Sequence, residues 1–405
     1  MALWKKVLIG LALGVFLGLF LKENVVYLKP FGDLFIRLIK MIIVPLIFFA
    51  IVGGIISAQN AKSLGRVSLK SSIAYLCTTI FAVTIGLSVG NIFKPGNGIT
   101  LNFDHSLSKL PEGTSITKVL DALLQIVPDN AIGAMAQGSI LQVVFFALFT
   151  GITINQLEKT SSKQISETIQ LLSQIVFKMV NLIIQLSPIA ACSLTAWVVG
   201  TQGVGVLLNL AQLIFCAYFA FGIQYLFFGV MIYFFTRLSP KPFFKKSLEY
   251  QTLAFSTSSS KAALPTTIKV CQEKLGISKF SSSFVLPLGA SINMDGIAIY
   301  ISICTLFFAQ ATGKILGYGD YGLIIFMGTL GSIGGAGIPG GTIVMLPMVL
   351  GSIGLPIEGI ALIAGIDRII DMMRTTISIT GDAAVTLCID HSEGLLDEKC
   401  YNKNS

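Results

Sequence analysis

The sequence is poor in charge and poor in histidine. Charged residues make up 12% of its 405 residues, about half of the roughly 25% found in ordinary globular domains. Its two histidines, His105 and His391, supply histidine-based metal sites or catalytic triads poorly. These shortages indicate a function that does not depend on histidine chemistry.

Cysteine pairs and runs of basic residues are missing as well. None of the seven cysteines forms a C-x-x-C pair, so neither a disulfide framework nor a cysteine metal site is indicated. The net charge is +8, but no Lys/Arg run is interleaved with aromatic residues, so a nucleic-acid partner is not expected. Basic loops on one side of a membrane explain the excess better.

Apolar residues are what the sequence has in excess, at 54% hydrophobic and a mean hydropathy of +0.81. This composition predicts a membrane bundle of roughly eight to ten helices of about 20 residues each. Lys5 and Lys6 precede an apolar run as in a signal peptide, but no small-residue cleavage site follows, so the run is predicted as the first membrane helix. Apolar segments are predicted at 7–20, 31–56, 71–93, 117–157 with breaks near Pro128 and Gly138, 168–199, 206–235 and 284–309, and a polar loop at 158–167.

One predicted helix, residues 365–382, carries a polar stripe. Asp367, Asp371, Arg374, Ser378 and Asp382 follow one another at steps of four, three, four and four residues, so they share one helical face. An ionisable group in the hydrocarbon core costs on the order of 3 kcal/mol, and the stripe must therefore face protein or water. It is a candidate functional site, the alternative being a salt bridge between Asp371 and Arg374 that merely locks helices.

Two stretches, residues 254–265 and 331–341, are apolar segments interrupted by Ser or Gly and ended by Pro. Each precedes a spanning helix with polar residues at mid-depth. Paired interrupted segments point to a transporter binding site, because unwound backbone at membrane depth must line a cavity. Free N–H groups there can hold a carboxylate, and freed carbonyls a cation. Close helix packing through small residues is the alternative.

The distribution of Lys and Arg between the loops predicts the orientation. Most basic residues fall on one side if the N-terminus is inside, which places both termini in the cytoplasm. Each interrupted segment must then enter and leave on the same side, as a re-entrant hairpin. The first hairpin is predicted to open to the cytoplasm and the second to the outside.

Four stretches together carry a recognisable family pattern. They are Ser258-Ser-Ser with Leu264-Pro265, Asn293-Met-Asp-Gly296, Ser332-Ile-Gly-Gly-Ala-Gly-Ile-Pro339, and Asp371-Met-Met-Arg-Thr375 with Thr380-Gly-Asp382. With these stretches the chain resembles the glutamate transporter family, the dicarboxylate/amino acid:cation symporters. Residues 38–53 and 81–84 are also similar to the family, and the resemblance covers nearly the whole chain.

The resemblance implies an all-α polytopic membrane protein of the bacterial inner membrane, with eight transmembrane helices, two re-entrant helical hairpins and inverted repeats. It also implies a homotrimer in the lipid bilayer. The implied domains are a scaffold at 1–68 and 111–200, a transport domain at 69–110 and 201–390, and a cytoplasmic tail at 391–405.

The resemblance further implies the site residues. Asp371 would bind a substrate amine and Arg374 a side-chain carboxylate, and the remaining substrate-binding residues would be Ser258, Ser259, Ser260, Met294, Ile338, Thr342, Thr375 and Ser378. Three sodium sites are implied. The first would use Asp382 with the carbonyls of Gly289, Asn293 and Ser378, and the second would use Tyr75, Thr78, Thr79, Asn293 and Asp295. The third would use carbonyls near Ser291, Ser332, Ile333 and Gly335. No cofactor beyond these coupling ions is implied.

The sequence departs from the family pattern in three respects. Ser378 stands where Asn is usual, and Ile297 stands where Thr is common after Asn-Met-Asp-Gly. Ser258 and Met372 are both neutral, although some members carry Arg in the first hairpin, and nearby Lys261 has an open role. These departures bear on which substrate is carried rather than on transport itself.

The leading hypothesis is sodium-coupled import of an acidic amino acid, glutamate or aspartate. Arg374 favours a second carboxylate on the substrate, and Asp371 favours an amine. A proton-coupled carrier, a C4-dicarboxylate or neutral amino acid carrier, and an anion channel are the alternatives. An intramembrane hydrolase using Ser259 would need a base, and neither histidine lies in a predicted span, so the protein is not expected to be an enzyme.

Overall fold

The computed structural model describes residues 3–60, 66–99, 127–202, 205–334 and 340–403, and every regular element in them is helical. Two short 3-10 helices, Lys22–Tyr27 and Ile357–Gly359, join longer helices. The α-helices are α1 (Leu3–Leu21), α2 (Lys29–Asn60), α3 (Arg66–Phe93), α4 (Ala131–Gln137), α5 (Ile140–Gln156), α6 (Lys159–Gln185), α7 (Ser187–Gln202), α8 (Gly205–Thr236), α9 (Lys241–Thr257), α10 (Ser260–Glu273), α11 (Lys279–Ile292), α12 (Asp295–Ala311), α13 (Tyr318–Gly334), α14 (Gly341–Ser352), α15 (Ile360–Ser392) and α16 (Glu398–Asn402).

Three described stretches are long and apolar enough to cross a membrane by length and composition: Leu69–Phe93, Leu207–Thr236 and Lys279–Ala311. The third includes the break between α11 and α12, and 94% of its most apolar window is buried inside the protein. The all-helical class is as predicted, and the number of eight spans stays a prediction.

Proline and glycine divide the middle of the chain largely as predicted. The Asn130 side chain accepts a hydrogen bond from the Gly133 amide at 2.9 Å and so begins α4, which ends at Gly138 in the left-handed region, φ 70°. The single segment predicted at 168–199 is two helices, α6 and α7, because Pro188 has no amide hydrogen to continue the first.

The predicted polar loop at 158–167 is wrong. Helix α6 begins at Lys159 and includes residues 159–167. Ser166 is buried and its hydroxyl donates to the Ser162 carbonyl at 2.6 Å, whereas Lys163 is exposed. A polar run can be one solvent-facing turn of an amphipathic helix, which polarity alone does not distinguish from a loop.

Both interrupted segments are pairs of helices, α9 with α10 and α13 with α14. Ser258 separates the first pair in a left-handed conformation, φ 50°. The single segment predicted at 284–309 is also two helices, α11 and α12, which are separated at Asn293 and Met294. Helix α15 is 33 residues long, well beyond the predicted 365–382, and it packs against α7, α8, α9, α11 and α12.

Helices α3 and α12 pack closely in the interior. A Cβ added to Gly86 of α3 would lie 2.5 Å from the Ile299 carbonyl oxygen of α12, so a larger residue does not fit without displacing a helix. This close approach places the polar residues of α3 beside the broken end of α12, where the candidate cation ligands lie.

Candidate functional site

The polar stripe of α15 is buried, as the cost of placing charge in hydrocarbon requires. Asp367 is 4% exposed, Asp371 1%, Arg374 2%, Ser378 1% and Asp382 0%. The stripe therefore faces other helices of the same chain. Asp371 and Arg374 pair there, whereas Asp367 Oδ1 and Asp382 Oδ2 have no hydrogen-bond partner among the described residues.

Asp371 and Arg374 are bonded to each other and to the second interrupted segment. The Arg374 guanidinium donates to Asp371 Oδ1 and to the Thr342 hydroxyl of α14. The Gly340 amide donates to Asp371 Oδ2 at 3.1 Å. The salt bridge between Asp371 and Arg374, which was the structural alternative to a functional site, is thus present. It also bonds to Gly340 and Thr342 of the second interrupted segment, so it connects α15 to that segment as well as joining two turns of one helix.

Arg368 is a further charged neighbour of Asp371. Its Nη1 lies 3.3 Å from Asp371 Oδ2, and its side chain is 18% exposed. The sequence analysis did not single it out, although a cation three residues before Asp371 on a helix is a recognisable signal.

Ser378 lies at the contact between α12 and α15. Its hydroxyl accepts from the Gly296 amide and donates to the Arg374 carbonyl, both at 3.2 Å. A Cβ at Gly296 would lie 2.3 Å from that carbonyl oxygen. Glycine is required here because the two backbones meet beside the Arg374 side chain.

The first hairpin contributes hydroxyl groups and a bond to α15. The hydroxyls of Ser258 and Ser260 are buried and have no hydrogen-bond partner in the part of the chain that the structure describes. Ser259 caps α10, accepting from the Ala262 amide at 3.3 Å. Gln251 of α9 donates to the Thr380 hydroxyl at 3.1 Å, which ties this hairpin to α15.

A second cluster of buried oxygen atoms joins α3 to the broken ends of α11 and α12. The hydroxyls of Thr78 and Thr79 each lie 3.2 Å from Asn293 Oδ1, and Thr79 lies 3.1 Å from Asp295 Oδ1. Asn293 and Asp295 are both 0% exposed. Gln224 of α8, which the sequence analysis missed, donates to Asp295 Oδ2 at 3.2 Å.

Asp382 lies next to this cluster. Asn293 Nδ2 donates to its Oδ1 at 3.0 Å, and its Oδ2 is buried without a hydrogen-bond partner among the described residues. A Cβ added to Gly289 would lie 2.6 Å from Asp382 Oδ1 and 2.5 Å from the Tyr75 hydroxyl. The backbone of α11 therefore runs directly alongside this carboxylate, and the set of hard oxygen atoms suits a small hard cation.

Comparison with known proteins gives the family. The model of the sodium:dicarboxylate symporter family matches residues 3–392. The chain belongs to this family.

Several curated relatives are similar over nearly the full length of this symporter. The proton/glutamate-aspartate symporter of Escherichia coli K12 is 32% identical, over 97% of this chain and 93% of its own length. The proton/sodium-glutamate symport protein of Bacillus subtilis 168 is also 32% identical, with the same coverage. The C4-dicarboxylate transport protein of Rhizobium leguminosarum is 35% identical, over 98% of this chain and 90% of its own length. The protein is therefore a membrane symporter and not an enzyme.

The remaining predicted site residues of this symporter occupy three settings. Met294 is buried, and its amide donates to the Ser332 hydroxyl at 2.8 Å; Thr375 is buried as well. Ser291 donates to the Pro287 carbonyl at 2.9 Å, and Ile333 is partly buried in the core. Gly335 and Ile338 lie outside the described residues.

Among the described residues, the candidate cation ligands do not form a cluster of the transition-metal kind. Across the described ranges, no three His, Cys, Asp or Glu side chains lie together as a group that could hold a metal ion. The candidate cation ligands instead combine single carboxylates with amide and hydroxyl oxygens, a set that alkali ions accept and softer metals do not favour.

Proposed function

We propose that this symporter imports an acidic amino acid, glutamate or aspartate, together with sodium ions. Arg374 carries the proposal. Its guanidinium is almost fully buried, is reached from the hairpin by Thr342, and lies beside Asp371. A buried guanidinium of fixed orientation matches a carboxylate bidentately.

Asp371 would bind the amine of the substrate. It is buried and bonded to Arg374 and to Gly340, so an acidic amino acid could exchange partners with this pair, its side-chain carboxylate taking Arg374 and its amine taking Asp371. Buried charges must remain paired at every stage, because an unpaired charge in this setting costs several kcal/mol. Ser258, Ser260 and Thr375 would supply hydroxyls around the substrate.

The oxygen atoms around Asn293, Asp295 and Asp382 support sodium as the coupling ion. Two carboxylates, one amide oxygen and two threonine hydroxyls converge there, and such hard oxygen ligands suit a hard cation. The Escherichia coli relative is named for proton coupling and the Bacillus subtilis relative for both ions, so proton coupling is the alternative that the experiment must separate.

The C4-dicarboxylate alternative has one observation in its favour. Arg368 already faces Asp371 at 3.3 Å, which would let Asp371 remain paired while a substrate without an amine is bound. The Rhizobium leguminosarum relative is named for C4-dicarboxylate transport. A neutral amino acid would leave Arg374 unpaired and is disfavoured for that reason.

Alternating access would use the two hairpins as gates on opposite sides of the bacterial inner membrane. In this proposal 69–110 and 201–390 move as a transport domain, 1–68 and 111–200 form the scaffold of a homotrimer, and both termini are cytoplasmic. Cysteines at Ala262 and Gly340 in a cysteine-free background should then be labelled from opposite faces of the membrane.

Uptake by proteoliposomes tests the proposal. Labelled glutamate, aspartate and succinate would be supplied at fixed membrane potential, first with a sodium gradient alone and then with a proton gradient alone. We expect aspartate or glutamate to accumulate under the sodium gradient, and Arg374→Cys to abolish that accumulation. Full uptake in sodium-free buffer on the proton gradient would overturn the sodium assignment.

A further inference from the structure

Arg368 is a charged residue at the proposed substrate site whose hydrogen bonding is incomplete. Its Nη1 lies 3.3 Å from Asp371 Oδ2, and its Nε is buried with no hydrogen-bond partner in the described part of the chain. Asp371 is thus flanked by two guanidinium groups, since Arg374 is bonded to its other oxygen.

The two arginines differ in how firmly they are held. Arg374 is 2% exposed and bonds to both Asp371 and Thr342, whereas Arg368 is 18% exposed and its contact with Asp371 is at the long end of hydrogen-bonding distance. Of the two arginines, Arg368 is therefore the one whose bond to Asp371 can be displaced with less loss.

We propose that Arg368 sets how strongly the transporter discriminates between acidic amino acids and dicarboxylates that lack an amine. The inference rests on the proposed function, in which Asp371 is the amine-binding group. Arg368 competes with a substrate amine for Asp371 Oδ2, because a carboxylate oxygen already bonded to a guanidinium binds an ammonium group less well.

The competition acts in opposite directions on the two substrate classes. For aspartate, Arg368 must be displaced before the amine can bind, which weakens the interaction. For succinate, Arg368 neutralises a carboxylate that would otherwise repel a second negative group. Arg368 thus lowers aspartate affinity and raises succinate affinity, acting through Asp371 as a positioning residue.

The test measures half-saturating concentrations and maximal rates for aspartate and succinate in proteoliposomes containing the wild type, Arg368→Gln or Arg368→Lys. In Arg368→Gln we expect the ratio of aspartate to succinate affinity to rise roughly tenfold, the change produced by about one charge-assisted hydrogen bond. Arg368→Lys keeps the positive charge, so its ratio should stay close to the wild-type value. In an Asp371→Asn background, Arg368→Gln should leave the half-saturating succinate concentration unchanged.

Arg237→Gln is the matched control, because Arg237 is an exposed arginine in the connector after α8. A ratio that is the same in the wild type and both Arg368 variants would overturn this inference alone. An equal rise in Arg368→Lys and Arg368→Gln would also overturn it, since packing rather than charge would then be responsible. A wild type that transports neither compound under either ion gradient would overturn the proposed function and this inference with it.

Discussion

Replacing Asp382 with Asn isolates the charge of the candidate cation site from its shape. The side chain is fully buried, Asn293 donates to its Oδ1 at 3.0 Å, and its Oδ2 has no hydrogen-bond partner among the described residues. Asparagine has nearly the same volume and retains one oxygen. The substitution therefore removes a negative charge and introduces an amide hydrogen where a cation is expected.

The expected loss of sodium-binding free energy follows from the burial of Asp382. Two opposite unit charges about 4 Å apart interact with about 4 kcal/mol at an effective dielectric constant of about 20. The smaller cost of burying a neutral amide offsets part of this loss. A net loss of about 2–4 kcal/mol would weaken sodium binding by roughly 30- to 1,000-fold.

Sodium dependence of aspartate uptake is the assay, with thermal unfolding of the detergent-solubilised protein across a sodium series as a second readout. In Asp382→Asn we expect the half-saturating sodium concentration to rise at least tenfold, and the sodium-dependent increase in Tm to shrink in parallel.

Asp390→Asn is the matched control on the same helix. Asp390 is also 0% exposed, but its oxygens accept from the Ser278 amide at 2.8 Å and the Ser278 hydroxyl at 2.5 Å. Its replacement should lower Tm without changing the half-saturating sodium concentration. The reasoning is refuted if both variants have the same sodium dependence as the wild type, or if Asp390→Asn changes it as much as Asp382→Asn.

Three further predictions follow from single contacts. Gly296→Ala would place a Cβ 2.3 Å from the Arg374 carbonyl oxygen, so uptake should be lost and stability reduced by about 1–3 kcal/mol; wild-type uptake and Tm would contradict the close helix contact. Lys246→Met removes an ammonium group that donates to three backbone carbonyls at 2.7–3.0 Å, one of them the Cys400 carbonyl. Maleimide labelling of Cys400 should therefore accelerate, and an unchanged labelling rate would show that Lys246 does not hold the C-terminal segment in place. Hydrogen bonds from Lys70 and Arg66 lower the pKa of Glu393. This contact therefore stabilises the fold fully above the ordinary pKa of 4.5, and the stabilisation is lost as pH falls through the lower folded-state pKa. Glu393→Gln should reduce the pH dependence of Tm in that acidic range, and a pH profile identical to the wild type would contradict this role of Glu393.

Much of the helical pattern and of the candidate site was predictable from sequence. The interruptions at Ser258 and at Gly340 follow from serine, glycine and proline within apolar segments, and the burial of the α15 stripe follows from the cost of charge in hydrocarbon. The errors came where local composition was ambiguous. The polar run at the start of α6 is helical, and two segments predicted as single are divided, one at Pro188 and one at Asn293.

Periodicity and hydropathy act over a few neighbouring residues, so local sequence is enough to predict the membrane class and the two interrupted segments. It is also enough to predict the shared helical face of Asp367, Asp371, Arg374, Ser378 and Asp382. Tertiary structure decided which groups meet. Thr79 reaches Asp295 across 216 positions, Gln224 joins them from a third helix, and Gly340 closes on Asp371. These contacts depend on how helices far apart in the chain pack, at distances set by glycines such as Gly86 and Gly296, and no local pattern specifies that geometry.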